Sequence, residues 1–145
     1  MTMPAQGTAT APVTGSPPGT TAYRVLVGLA ALGIVLQGLW AGMFIRPGQA
    51  NDATWVTVHA RGAEVTLALA LAAAAVAVWR LRTRRDLVLG TGALVVLLAV
   101  QAFIGGLVYD NQALTAVHVP LAIALMALPV WLLLRSRRGA PADRT

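Results

Sequence analysis

The sequence predicts an all-α integral membrane protein, a four-helix bundle built from two repeated helical hairpins with both termini in the cytoplasm. Of its 145 residues, 57% are hydrophobic and 11% are charged, against about 25% charged residues in a typical soluble domain. The apolar residues fall into four runs, each near the roughly 20 residues that a transmembrane helix requires. All 11 basic residues are arginines, and they cluster between these runs. This clustering argues against a nucleic-acid partner, whose binding needs a continuous basic face.

The elements follow from the composition along the chain. Residues 1–22 are rich in Thr, Ala, Pro and Gly and carry no charged side chain, which predicts a disordered tail. This tail lacks the basic region of a secretory signal, so we expect the first span to remain as an anchor. Pro129 predicts a kink in the last span, and residues 135–145 form a basic tail. The predicted spans cover residues 23–45, 55–79, 87–109 and 113–134.

The arginines predict the orientation of the spans. The loop between the second and third spans holds four arginines, and the C-terminal tail holds four more. The two opposite loops hold only Arg46, together with Asp52 and Asp110. Because basic loops stay in the cytoplasm, we expect an N-in, C-in protein of a bacterial plasma membrane, with the lipid bilayer as its surroundings.

Spans one and three share a sequence pattern. Gln37 opens Gln-Gly-Leu-Trp-Ala-Gly-Met-Phe, and Gln101 opens Gln-Ala-Phe-Ile-Gly-Gly-Leu-Val. A single histidine follows each glutamine, His59 after 22 residues and His118 after 17. Parallel repeats of this kind place equivalent groups around an axis along the membrane normal. The small residues of the pattern have a second interpretation, close packing between helices.

The chain's two histidines are candidate ligands of haem iron. His59 and His118 lie at similar depths in spans two and four, which are parallel and commonly diagonal in such a bundle. Imidazoles placed this way can bind opposite faces of a haem, and Gly42 and Gly106 (with Gly38, Gly62 and Gly105) could provide the space. The alternative is a pair of interfacial histidines bonded to water or carbonyl groups. Zinc fits less well, because it usually takes three or four protein ligands.

Four more polar residues are candidates for the same site. Arg61 and Glu64 lie at positions i and i+3, so they can form an ion pair on the surface of span two. Arg61 could instead contact a haem propionate. Gln37 and Gln101 could donate hydrogen bonds to a histidine or the cofactor, or bond between helices.

The segment that begins at Gln101, followed by His118 in the next span, resembles the repeat unit of haem A synthase. The resemblance covers residues 23–134, about half of that eight-span family. It implies that His59 and His118 are ligands of haem b. Val56 stands where the family has an acidic residue, and the chain has no cysteine pair, so haem A synthase activity is not expected. The chain also resembles an uncharacterised family of small four-span bacterial membrane proteins.

The leading prediction is a b-type haem protein that serves electron transfer or haem handling near the outer face of the membrane, and is not itself an enzyme. The alternative is a cofactor-free accessory or structural protein that forms a homodimer or packs against a larger membrane complex. In that case the histidines would be replaceable, whereas Gly42 and Gly106 would not.

Overall fold

The computed structural model describes residues 19–45 and 53–138, and within these two segments it is helical with no strand. Four helical stretches are long and apolar enough to cross a membrane, which confirms the predicted all-α class and indicates a multi-pass membrane protein. The fourth stretch consists of a short 3₁₀ turn (Gln112–Leu114) and two helices. The helices are α1 (Thr20–Phe44), α2 (Ala53–Arg80), α3 (Arg85–Leu107), α4 (Thr115–Leu125) and α5 (Ala127–Arg137).

The predicted spans agree with the observed helices to within three residues at every end. The first helix begins at Thr20, inside the predicted N-terminal tail, after Gly19 in a left-handed conformation at φ 92°. The last helix continues to Arg137, inside the predicted C-terminal tail, because polar contacts hold its final turn. The predicted tails otherwise fall on residues 1–18 and 139–145, which lie outside the described residues.

The fourth span is broken at Met126. Its N–H bonds to the carbonyl of Ile123 at 3.2 Å, a tighter turn than the α-helical pattern, and α5 starts at the next residue. Pro129 has no N–H to donate to the carbonyl four residues earlier. The break therefore falls about one turn before Pro129, in the span where the sequence predicts a kink.

The helices close a bundle at one end and separate at the other. α1 packs along α2, α2 against α3, and α5 against both α1 and α3. α4 packs against α3 and has no comparable contact with α1 or α2. We call the end with Arg24, Arg84 and Arg135 the arginine end, and the end with His59 and His118 the histidine end. The two hairpins are thus joined mainly through the arginine end.

The buried core lies at the arginine end and the middle of the bundle. In α2 it consists of small residues, such as Ala70, Ala73 and Ala77, which let neighbouring helices approach closely. Tyr23 of α1 is fully buried, and its hydroxyl lies 2.7 Å from the Thr91 hydroxyl of α3. Thr91 donates its own proton to the Leu87 carbonyl at 2.6 Å, so the Tyr23 hydroxyl is the donor in the bond between the helices.

Tyr23→Phe is expected to lower the free energy of unfolding by about 1 kcal/mol, because it removes this buried donor and leaves the Thr91 oxygen with one bond fewer. The measurement is reversible unfolding in mixed detergent micelles, followed by circular dichroism. In the double variant with Thr91→Val, the two losses should be less than additive. Unchanged stability of Tyr23→Phe would show that this hydrogen bond contributes nothing to the fold.

The arginine end is held together by one carboxylate. Asp86 accepts hydrogen bonds from Arg84 at 3.1 and 3.0 Å and from Arg135 of α5 at 2.7 Å. Arg84 also donates to the backbone carbonyls of Arg135 and Arg138. Arg24 of α1 donates to the hydroxyl and the carbonyl of Ser136. These bonds tie α1 and α3 to the end of α5, which is why α5 extends beyond the predicted span.

Candidate histidine site

Both histidines lie on the core-facing sides of their helices. His59 is seven residues before Thr66, and His118 is seven residues before Leu125, both of which are buried. Residues seven apart are two turns apart and share a helix face. The two imidazoles therefore lie on the same helix faces as the buried residues of α2 and α4. They lie at the histidine end, where each is half-buried.

The two glutamines lie on the buried faces of the other two helices, α1 and α3. Gln37 is seven residues after Ala30 in α1, and Gln101 is seven residues after Leu94 in α3. Gln101 is itself buried and Gln37 is half-buried. Each of the four spans thus presents one glutamine or histidine towards the bundle axis at the histidine end.

Gln101 holds His118 from the neighbouring helix. Its Nε2 donates to the backbone carbonyl of His118 at 2.8 Å and lies 3.4 Å from the imidazole Nε2. Gly105 permits this placement, because a Cβ there would come within 2.8 Å of His118 Cε1. The imidazole therefore lies directly against the backbone of α3.

Gln37 holds His59 in a similar way. With its amide oriented to satisfy its neighbours, Gln37 Nε2 donates to the His59 carbonyl at 2.9 Å and its oxygen accepts from the Ala63 N–H at 3.0 Å. His59 Nδ1 lies 3.2 Å from the backbone carbonyl of Gln37. In the same amide orientation Gln37 Nε2 lies 3.0 Å from His59 Nδ1, so Nδ1 has both a donor and an acceptor beside it, and these contacts hold the ring without selecting a tautomer. Phe44 packs edge-on to the imidazole, with ring centroids 5.5 Å apart.

The polar atoms of this site are not all paired. Gln101 Oε1 and His118 Nδ1 are buried and have no hydrogen-bond partner within the described part of the chain. Such groups are rare in folded proteins and often mark a missing water, ion or ligand.

The donor set suits a cofactor that needs only two protein ligands. Residues 19–45 and 53–138 contain no cluster of three or more histidine, cysteine or acidic side chains that could hold a metal ion. A haem iron already has four porphyrin nitrogens and needs two axial ligands. Two imidazoles on core-facing positions of α2 and α4 match that number of protein ligands.

The predicted glycines differ in their surroundings. A Cβ at Gly42 or Gly106 would meet no atom within 4 Å among the described residues, and the same holds for Gly38. These glycines therefore face open space and do not pack against another described helix. Gly62, in contrast, is covered by the Trp40 ring and the Gln37 amide, and Gly105 is covered by His118.

Arg61 lies away from the histidines. It is two residues from His59, which places it on a nearly opposite side of α2. Its Nη1 bonds both carboxylate oxygens of Glu64 at 3.0 and 2.8 Å, and both side chains are exposed. The structure thus brings together His59, His118, Gln37 and Gln101, and places Arg61 outside this group. Phe44, which sequence reasoning missed, carries no signal beyond its position as the last residue of α1.

Comparisons with known proteins identify no relative. The chain matches no family model, no curated protein and no solved structure. The resemblance to haem A synthase stays a prediction, and the function rests on the chemistry of the histidine site.

Proposed function

We propose that this multi-pass membrane protein binds haem b through His59 and His118, for electron transfer or haem handling near the outer face of a bacterial plasma membrane. The observation that carries the proposal is that both imidazoles lie on the core-facing sides of α2 and α4 at the same end of the bundle. At this site Gln101 Oε1 and His118 Nδ1 are buried and have no hydrogen-bond partner among the described residues. A bound haem would supply one-electron chemistry at its iron.

The surrounding residues prepare each imidazole for ligation. The contacts of His59 Nδ1 with the carbonyl and the amide of Gln37 hold the direction of the ring, as the partners of metal-ligating histidines do. Gln101 anchors the backbone of His118, and Gly105 lets the ring approach α3. Arg61 has no part in this proposal, because its side chain is bonded to Glu64 on another face.

The same proposal includes the orientation and the repeat. The arginine clusters support a cytoplasmic arginine end, which would place the histidine site at the outer side of the membrane. The similar Gln37–His59 and Gln101–His118 contacts support a common origin of the two hairpins, as in a half-length relative of haem A synthase. The proposal does not extend to haem A synthesis, since the sequence lacks that family's acidic residue and cysteine pair.

The test is the absorption spectrum of the protein, purified in a mild detergent from cells supplied with haem. We expect a Soret band and, after dithionite reduction, the sharp α and β bands of low-spin bis-histidine haem. His59→Ala and His118→Ala should each abolish the low-spin spectrum, and the double variant should lose the haem. Arg61→Gln, on the same helix as His59, is the control and should leave the spectrum unchanged.

A colourless, folded and monodisperse protein would overturn the haem proposal. The second candidate would then be a cofactor-free protein that packs against another membrane chain. The open small-residue surface at Gly38 and Gly42 favours it, because glycines at this spacing are common where membrane helices meet. Leucine at Gly42 or Gly106 should then break the complex, whereas both histidine variants should leave it intact.

A further inference from the structure

A long apolar groove runs between α1 and α2, separate from the histidine site. Its volume is about 430 Å³, and neither histidine nor either glutamine of the site lines it. At its floor the Thr66 side chain lies against Gly33, and the Trp40 ring lies across Gly62 near the histidine end. The walls are apolar side chains, among them Leu29, Leu36, Val58, Val65 and Leu69.

The length of the groove matches the hydrocarbon depth of one membrane leaflet. Along α1 it extends from Trp40 to Leu29, 11 residues, or roughly 16 Å at the rise of an α-helix. Along α2 it extends from Thr57 to Leu69, 12 residues, or roughly 18 Å. Half of a typical hydrocarbon core is about 15 Å. The groove therefore reaches from the interface at the histidine end to the middle of the membrane.

The end of the groove near the interface carries a cation. Arg61 lines the groove, and its contacts to Glu64 use Nη1 alone. The other guanidinium nitrogens, Nε and Nη2, keep donors that suit a phosphate group, which arginine binds through paired hydrogen bonds. Arg61 is paired with Glu64, but its free guanidinium donors at the end of an apolar groove of one-leaflet depth suit a phosphate headgroup with a hydrocarbon chain.

We propose that this groove binds one glycerophospholipid of the leaflet at the histidine end. One acyl chain lies along the groove against the leucine and valine side chains of α1 and α2, and the phosphate accepts hydrogen bonds from Arg61. This site assigns a role to the Arg61–Glu64 pair: Glu64 holds the guanidinium at the mouth of the groove. The proposal is independent of haem binding, because the groove and the histidine site share no side chain.

The test is retention of phosphatidylglycerol, measured by native mass spectrometry of the full chain after delipidation and titration with that lipid. Val65→Trp fills the groove and should weaken binding of the first lipid by at least about tenfold. The matched control is Val78→Trp, since Val78 is on the same helix, is similarly exposed (53%, against 59% for Val65) and does not line the groove. It should bind as the wild type does.

The headgroup contact is tested separately. Arg61→Gln should weaken lipid binding by roughly tenfold, because it removes a charge-assisted contact, and Arg61→Lys should restore part of it. Glu64→Gln should bind at least as tightly as the wild type, since the guanidinium keeps its charge. Equal binding by Val65→Trp and the wild type would overturn the proposal, as would equal losses in Val65→Trp and Val78→Trp. Co-purification of an isoprenoid in the groove in place of a phospholipid would also overturn it.

Discussion

Asp86→Ala is expected to lower the free energy of unfolding by about 3 kcal/mol, the low end of the range for breaking a buried ion pair. Among the described residues, Asp86 is the carboxylate that joins Arg84 of the α2–α3 connection to Arg135 of α5, and its side chain is only 20% exposed. Its removal takes away the negative charge that lies between these two guanidinium groups. It also loosens the bonds from Arg84 to the last carbonyls of α5. Reversible unfolding in mixed micelles measures the loss.

The exposed ion pair supplies the control. Glu64→Ala removes the carboxylate that pairs with Arg61, but Glu64 is 63% exposed, and such pairs contribute at most about 1 kcal/mol. Asp86→Asn keeps the size of the side chain and removes its charge. If the charge is what matters, this variant should also lose most of the stability that Asp86 contributes. If Asp86→Ala and Glu64→Ala changed the stability equally, the carboxylate would not join the two hairpins as we infer.

Gly105→Ala is expected to displace the His118 ring and to weaken haem binding by about tenfold, as changes next to metal-ligating histidines do. A Cβ at this position would lie 2.8 Å from His118 Cε1, closer than two such carbons approach without movement. The ring cannot retreat freely, because Gln101 holds the backbone of the same residue. The measurement is haem titration of the purified protein, followed by the Soret band, together with the low-spin electron paramagnetic resonance signal.

The neighbouring glycine is the control for this prediction. Gly106→Ala adds the same methyl group one residue later, where nothing described lies within 4 Å, and should leave haem affinity unchanged. Alanine improves helix propensity by about 1 kcal/mol at either position, so the difference between the two variants isolates the contact with His118. Equal haem affinity in both variants would mean that Gly105 does not position the ring.

The residues that hold the bundle together lie at the arginine end, and the candidate haem ligands lie at the histidine end. The Asp86 cluster and the buried core join the hairpins at the arginine end. At the histidine end, α4 carries His118 and packs against α3 without comparable support from α1 or α2. A rigid base with an open far end suits a protein that accepts a large planar ligand between its hairpins.

The spacing of buried residues along each helix predicts the position of the histidines more directly than the sequence repeat does. The seven-residue intervals from His59 to Thr66 and from His118 to Leu125 can be read in the sequence, and they place both imidazoles on core faces. The pattern of Gln37 and Gln101 also predicts that these residues occupy equivalent places, and both contact histidines. The sequence pattern does not distinguish Gly105 from Gly106, although only Gly105 contacts His118.

The sequence by itself determined the all-helical class, the four apolar helices and the break before Pro129, because hydropathy and backbone hydrogen bonding are local properties. Only the tertiary structure decided that Arg61 lies apart from the histidines, that Asp86 joins Arg84 to Arg135, and that α4 stands away from α1 and α2. These features depend on how each helix is rotated and tilted against its neighbours. That geometry comes from side-chain packing between residues far apart in the chain, which no local pattern encodes.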